Sequence, residues 1–128
     1  MPKLGMEPLR RKALVDATIS EIGATGSLDV TVGRIARRAG VSSALAHHYF
    51  GGKDDLLLAA MRAILRDFGA EARTALAGVD GPRDRVAAVV RASFAPRNYR
   101  ADVVAAWLNF YVFAQTDPQS ARLLAVLS

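Results

Sequence analysis

The sequence has no cysteine, which excludes disulfides and thiolate metal sites and suits a cytoplasmic protein. It has no apolar run long enough to cross a bilayer: the longest are stretches such as Val103 to Leu108. Met1-Pro2-Lys3 leads into no signal-peptide core. Strand patterning is nearly absent, and so are internal repeats and low-complexity segments. Catalytic arrangements are missing too: no Ser/His/Asp set, no glycine-rich phosphate loop and no paired carboxylates stand out. His47 and His48 are adjacent, whereas two metal-binding histidines on one helix face want a spacing of i and i+4. Adjacent helical positions point about 100° apart. The expectation is therefore no enzyme, no metal, no cofactor and no membrane.

What is present is a chain of 128 residues, 52% of them hydrophobic. That suffices for a real core, in one domain or in one small domain joined to part of another. The net charge of +5 is unevenly placed. Residues 1–53 hold eight Lys/Arg against four acids, while residues 54–128 are nearly neutral. A polyanion partner for the first half explains this, and so does an ordinary solvated surface; charge alone leaves both open.

Almost every apolar stretch repeats at three or four residues, so the fold is predicted to be all-α. Pro8 fits a first helical turn, after which Leu14, Val15, Thr18, Ile19 and Ile22 form one stripe and Gly26 stops the helix. Thr31 caps a second helix with Val32, Ile35, Ala36 and Ala39 inward and Arg34, Arg37 and Arg38 outward. Gly40 ends it, and Ser42 caps a third helix running to about Phe50. Two short helices joined by a tight glycine turn are a helix-turn-helix. Val41, Ala46 and Phe50 serve as the buried side of its second helix, which leaves Ser43, Ala44, Leu45, His47 and His48 projecting outward. A long helix follows from Lys53 to about Ala77, burying Leu57, Ala60, Met61, Ile64, Leu65 and Phe68. "GVDGPRDR" and "PRNYR" are breaks, with helices predicted over about Arg83 to Ala95, Asp102 to Gln115, and onward from Asp117-Pro118.

The run "TVGRIARRAGVSSALAHHYFGGKDDLL" (31–57) resembles the N-terminal signature of TetR-type transcriptional repressors. Thr31, Ile35-Ala36, Ala39-Gly40-Val41-Ser42, Tyr49-Phe50, Lys53 and Leu56-Leu57 agree with it in register. The start "MPKLGMEPLRR" and the later "AAWLNFY" (105–111) are similar to the choline-responsive repressors of glycine-betaine synthesis within that family. The resemblance implies a dimeric repressor of palindromic double-stranded DNA, released by choline or a relative of it. It also implies a helix-turn-helix domain over 1–52 and a helical ligand-binding and dimerisation domain, incomplete, over 53–128. The sequence departs from the pattern at Ala44, often glycine, and at Gly52, often a capping Asp, Ser or Asn. It also stops at Ser128, before the helices on which such repressors usually dimerise. Another TetR-type pathway with a different hydrophobic or cationic ligand is one alternative, and a helical interaction module that binds no DNA is another.

A recognition helix enters the major groove. Ser43, Ala44, Leu45 and His47 are the candidates for base edges, with His48 able to donate to bases or phosphates. Leu45 either meets thymine methyls or packs inward with Ala46 outward. Thr31, Ser42, Tyr49 and Lys53 are the candidate phosphate contacts, Thr31 and Lys53 at helix starts where free amides favour an anion. Tyr49 is equally readable as a core aromatic beside Phe50.

Six of the nine aromatics lie between Phe94 and Phe113. Val103, Trp107, Phe110, Tyr111 and Ala114 are expected on one helical face, either as core or as part of a cage for a quaternary ammonium, which aromatic faces attract. Trp107, Phe110, Tyr111, Asn109 and Phe68 are the candidate ligand residues, with Asn109 orienting a hydroxyl. In "DPQSARLLAVLS", Leu123, Leu124, Val126 and Leu127 have nothing after them to pack against and are expected to form an exposed, self-associating face.

Overall fold

The computed structural model describes residues 6–94, 100–115 and 117–125. Among these lie seven helices and no strand: α1 Met6–Thr25, α2 Val32–Ala39, α3 Ser43–Phe50, α4 Lys53–Leu76, α5 Pro82–Ser93, α6 Ala101–Phe113 and α7 Pro118–Ala125. The protein is all-α, with the first three helices forming a compact unit and α4 to α7 following. None of the described helices is long and apolar enough to cross a membrane.

The helix boundaries follow local chemistry. Thr31 and Ser42 are both extended N-caps whose side-chain oxygens accept from the backbone N–H three residues on, Arg34 and Leu45 respectively, each at 3.1 Å. Gly40 closes α2 at φ 76°, a left-handed conformation that would strain any residue with a Cβ. Pro82, not Arg83, opens α5, because a proline in the first turn forfeits only an N–H that has no helical partner.

One hydrophobic cluster draws on α1, α2, α3, α4 and α6, so the core runs on past residue 52. Leu14, Ile22, Ile35, Leu56, Met61 and Phe110 are its large, fully buried members. Each such side chain contributes roughly 1.5–3 kcal/mol relative to exposure. α1 is the central element, packed against α2, α4 and α6, while α5 lies on α4.

Three expectations need correction. Val41 and Phe50 are only partly buried, leaving Ala46 as the fully buried residue of α3. Ala46 lies where α3 packs on the core, while Val41 before the helix and Phe50 at its end lie at the margin of that contact. Phe68 is likewise half-buried. Leu123, expected at an open face, packs against the core cluster; the side chains of Leu124, Val126 and Leu127 lie outside the described residues. Exposed large apolar side chains occur instead on α1 (Met6, Leu9), on α5 and its C-cap (Val86, Val90, Phe94) and on α6 (Leu108, Tyr111, Val112).

Candidate nucleic-acid interface

α2 and α3 cross with the Gly40 turn between them, and the outer side of α3 is open. Ser43, Ala44, His47 and His48 are exposed, Leu45 is half-buried, and Ala46 is inaccessible. Ala46, not Leu45, is thus the residue turned into the core. Leu45 sits at the margin of the open face.

Thr31 and Ser42 are exposed at the starts of α2 and α3. Each hydroxyl uses a lone pair for its cap and retains its O–H for a phosphate oxygen. The N-termini of α2 and α3 add a partial positive charge at the same places, since each cap occupies only one of the first-turn N–H groups. Lys53 opens α4, and its Nζ lies 3.8 Å from Oδ1 of Asp29 in the α1–α2 connection. Asp29 is 97% exposed, so this pair is weak and readily gives way to a phosphate.

Tyr49 and Phe50 end α3 as a pair with a common partner. The Arg11 guanidinium on α1 lies 5.4 Å from the Tyr49 ring centroid and 5.2 Å from that of Phe50. Both rings also pack partly on the core. The end of α3 is therefore held to α1 by cation–π attraction as well as by apolar contact. Tyr49 is both a core-flanking aromatic and a partly open one.

Behind α2 lies a feature that sequence reasoning missed. Glu21 on α1 is a buried acid, 5% exposed. Its Oε1 accepts from Nε of Arg38 at 2.8 Å, and its Oε2 lies 3.3 Å from Nη2 of Arg34. Oε2 has no hydrogen bond of good geometry, so Arg34 compensates its charge without saturating it. The signal was present: Glu21 falls seven residues after Leu14 and three after Thr18, on the inward stripe of α1. Arg34 and Arg38, expected to be merely outward, thus tie α2 to α1. Among the described residues, no group of three His, Cys, Asp or Glu side chains is placed to hold a metal ion.

The candidate ligand residues are spread over α4 and α6. The buried side of α6 is formed by Ala106, Phe110 and Ala114, with Val103 and Trp107 packed against the same cluster. Phe110 is 1% exposed and Tyr111 is 56% exposed, so these two do not share a face. The expected stripe is rotated. Trp107 and Tyr111 lie one turn apart with Trp107 at the core margin, while Phe110 is a core residue. Asn109 Nδ2 donates to the Ala105 carbonyl at 2.8 Å. A shallow, open groove of about 460 Å³ beside α6 is lined, among the described residues, by Leu28, Leu108, Asn109, Val112 and Phe113. Asn109 alone of the five candidates contributes to it.

The start of α6 sits directly on α1. A Cβ built on Gly23 would lie 2.5 Å from Cβ and 2.6 Å from Cα of Asp102. Arg100 grips the Asp102 carboxylate from both oxygens, at 3.1 and 2.7 Å. The Arg100 hydrogen bonds hold the Asp102 carboxyl below its ordinary range despite partial burial, and raise Arg100 in turn.

A capped, glycine-turned pair of helices with an open second helix defines a helix-turn-helix DNA-binding unit. Residues 14–60 match the model of the family described as bacterial regulatory proteins, tetR family. The HTH-type transcriptional regulator BetI of Brucella anthropi is 53% identical over 126 residues, covering 98% of this chain and 65% of the relative. That of Agrobacterium fabrum is 55% identical over 128 residues, covering 100% of this chain and 62% of the relative. The chain thus spans a little under two thirds of the length of these curated relatives. A crystal structure of a candidate transcriptional regulator from Pseudomonas aeruginosa PAO1 superposes with a TM-score of 0.78 at 26% identity, over 90% of this chain and 56% of that one.

Proposed function

We propose that this chain acts as a transcriptional repressor that binds a palindromic operator as a homodimer in the cytoplasm, controls betaine-synthesis genes, and is released by choline or a close relative. The observation that carries the DNA part is the open face of α3, with Ser43, Ala44, His47 and His48 exposed around a buried Ala46. It stands beside two capped helix starts and Lys53. In this reading Thr31, Ser42, Tyr49 and Lys53 hold the phosphates, while Ser43, Ala44, Leu45 and His47 meet base edges, with His48 donating to bases or phosphates.

The test is a salt-titrated binding assay on duplexes recovered by selection from a random library. Affinity is expected to fall steeply with salt. Lys53→Ala weakens binding on every sequence alike, whereas His47→Ala changes preference at particular base pairs. Equal losses for both variants across a base-substitution panel would refute these roles. Absence of any salt-dependent binding would leave a helical interaction module as the better reading.

The choline part rests on the resemblance to choline-responsive repressors and on the identity to BetI regulators. Trp107 with Tyr111 is the aromatic pair available for an ammonium, Phe110 being committed to the core; Phe68 and Asn109 complete the candidate set. Trp107→Ala is expected to cost on the order of 1–2 kcal/mol in choline affinity. The neutral isostere 3,3-dimethylbutanol has choline's shape without its charge, and calorimetry showing equal binding of the two would sink the cation–π idea. A second reading starts from the shallow open groove beside α6, whose described lining of four apolar side chains and one amide suits a less polar effector. Under it, the isostere binds more tightly than choline.

A further inference from the structure

His47 is an exposed residue with a fixed ring. Its Nδ1 lies 2.9 Å from the Gly51 carbonyl oxygen. That oxygen only accepts, so the hydrogen bond places the proton of the neutral imidazole on Nδ1. Nε2 is then left with a lone pair, directed by the shape of the ring away from the carbonyl. The acceptor that imposes this is itself pinned. The N–H of Gly51 donates back to the His47 carbonyl at 2.8 Å, and Gly51 takes φ 86°, ψ −54°, a conformation that favours glycine. Two reciprocal hydrogen bonds between residues 47 and 51 therefore select the tautomer before any DNA arrives. The neighbouring His48 is held differently, its ring against Tyr49 with centroids 5.7 Å apart.

We propose that His47 is a specificity-determining acceptor: through Nε2 it receives a hydrogen bond from the exocyclic amino group of adenine or cytosine in the major groove. Guanine presents only acceptors there, N7 and O6, and thymine a carbonyl and a methyl group, so neither offers a proton to this nitrogen. The opposite tautomer would donate through Nε2 and prefer guanine. The Gly51 carbonyl is what decides between them. The inference rests on the DNA-binding reading of α3 and adds to it the chemical class of base that position 47 selects.

The experiment uses the full chain and duplexes recovered by selection from a random library. In the best duplex each adenine is replaced singly by purine and each cytosine by pyrimidin-2-one, changes that delete only the amino group. Each guanine is replaced in parallel by 7-deazaguanine, which deletes the N7 acceptor. At one base per half-site, loss of the amino group is expected to weaken the wild-type protein by roughly three- to tenfold. His47→Ala, an exposed substitution, already binds the unmodified duplex at that lower level and is indifferent to the change. A His47-dependent loss that maps to guanine N7, or to no base, overturns the proposal while leaving DNA binding intact. Failure to recover any duplex would overturn the DNA-binding reading itself, and this inference with it.

Discussion

Replacing Arg34 and Arg38 together by alanine is expected to destabilise the protein by about 3–5 kcal/mol, the cost of leaving a buried carboxylate without its counter-charges. Glu21 is 5% exposed and fixed on the inward side of α1, whereas the arginine side chains reach it from solvent, 56% and 44% exposed. Glu21→Ala returns two half-solvated arginines to water and loses one good charge-assisted bond, roughly 1.5–3 kcal/mol. The Arg34→Ala/Arg38→Ala variant instead strands a charge inside. Arg37 lines the same 350 Å³ cavity as Glu21, Arg34 and Arg38, and its reorientation, with water entry, places the result toward the lower end of the range. Adding Glu21→Ala to the double variant should therefore recover stability. Urea denaturation of the wild type and the three variants measures it. If the triple variant is no more stable than the double, Glu21 is not an uncompensated charge in the absence of its partners.

Gly23→Ala is expected to destabilise by about 1–3 kcal/mol through overpacking. The sign is what makes it informative. On helix propensity alone, alanine in place of glycine near the end of α1 would gain about 1 kcal/mol. A steric clash opposes this gain, because the new Cβ meets Cα and Cβ of Asp102 at 2.6 and 2.5 Å. Neither atom belongs to the far end of a flexible side chain, so the collision is relieved only by moving α6 away from α1. That displacement also disturbs the Arg100–Asp102 pair and the burial of Ala106 and Phe110 on the same helix. A rise in melting temperature on Gly23→Ala would show that α6 does not approach α1 so closely. Under the proposed function, loss of stability together with altered choline binding at unchanged base preference would mark the contact as the link between the two parts of the molecule.

The caps, the glycine stop and the inward Ala46 of the helix-turn-helix were legible because their determinants are local, whereas the half-burial of Val41, Leu45 and Phe50 was not. Thr31 and Ser42 are oxygen-bearing residues placed to bond the amide three positions on, Gly40 satisfies a left-handed stop, and Ala46 falls on the inward side of α3 and is small enough to be fully covered there. The open face of α3 followed from the same period, with Leu45 at its edge. Arg11 was legible only as a charge. That it spans the Tyr49 and Phe50 rings depends on how α1 lies against the end of α3, and no spacing within either helix states that angle.

The chain by itself determined that this is an all-α protein with a capped helix-turn-helix, since caps, glycine stops and a three-to-four-residue period act over one or two turns. Tertiary structure alone decided the rotation of α6. Its sequence, ADVVAAWLNFYVF, is apolar nearly all round, so hydrophobicity does not select which side is buried. The notch at Gly23 admits Asp102, and that approach turns Ala106 and Phe110 inward while leaving Tyr111 in solvent. The same holds for Glu21, whose charge is sustainable inside only because α2 brings Arg34 and Arg38 across to it. A buried charge is set by partners distant in sequence, and their arrival is a property of the packed fold.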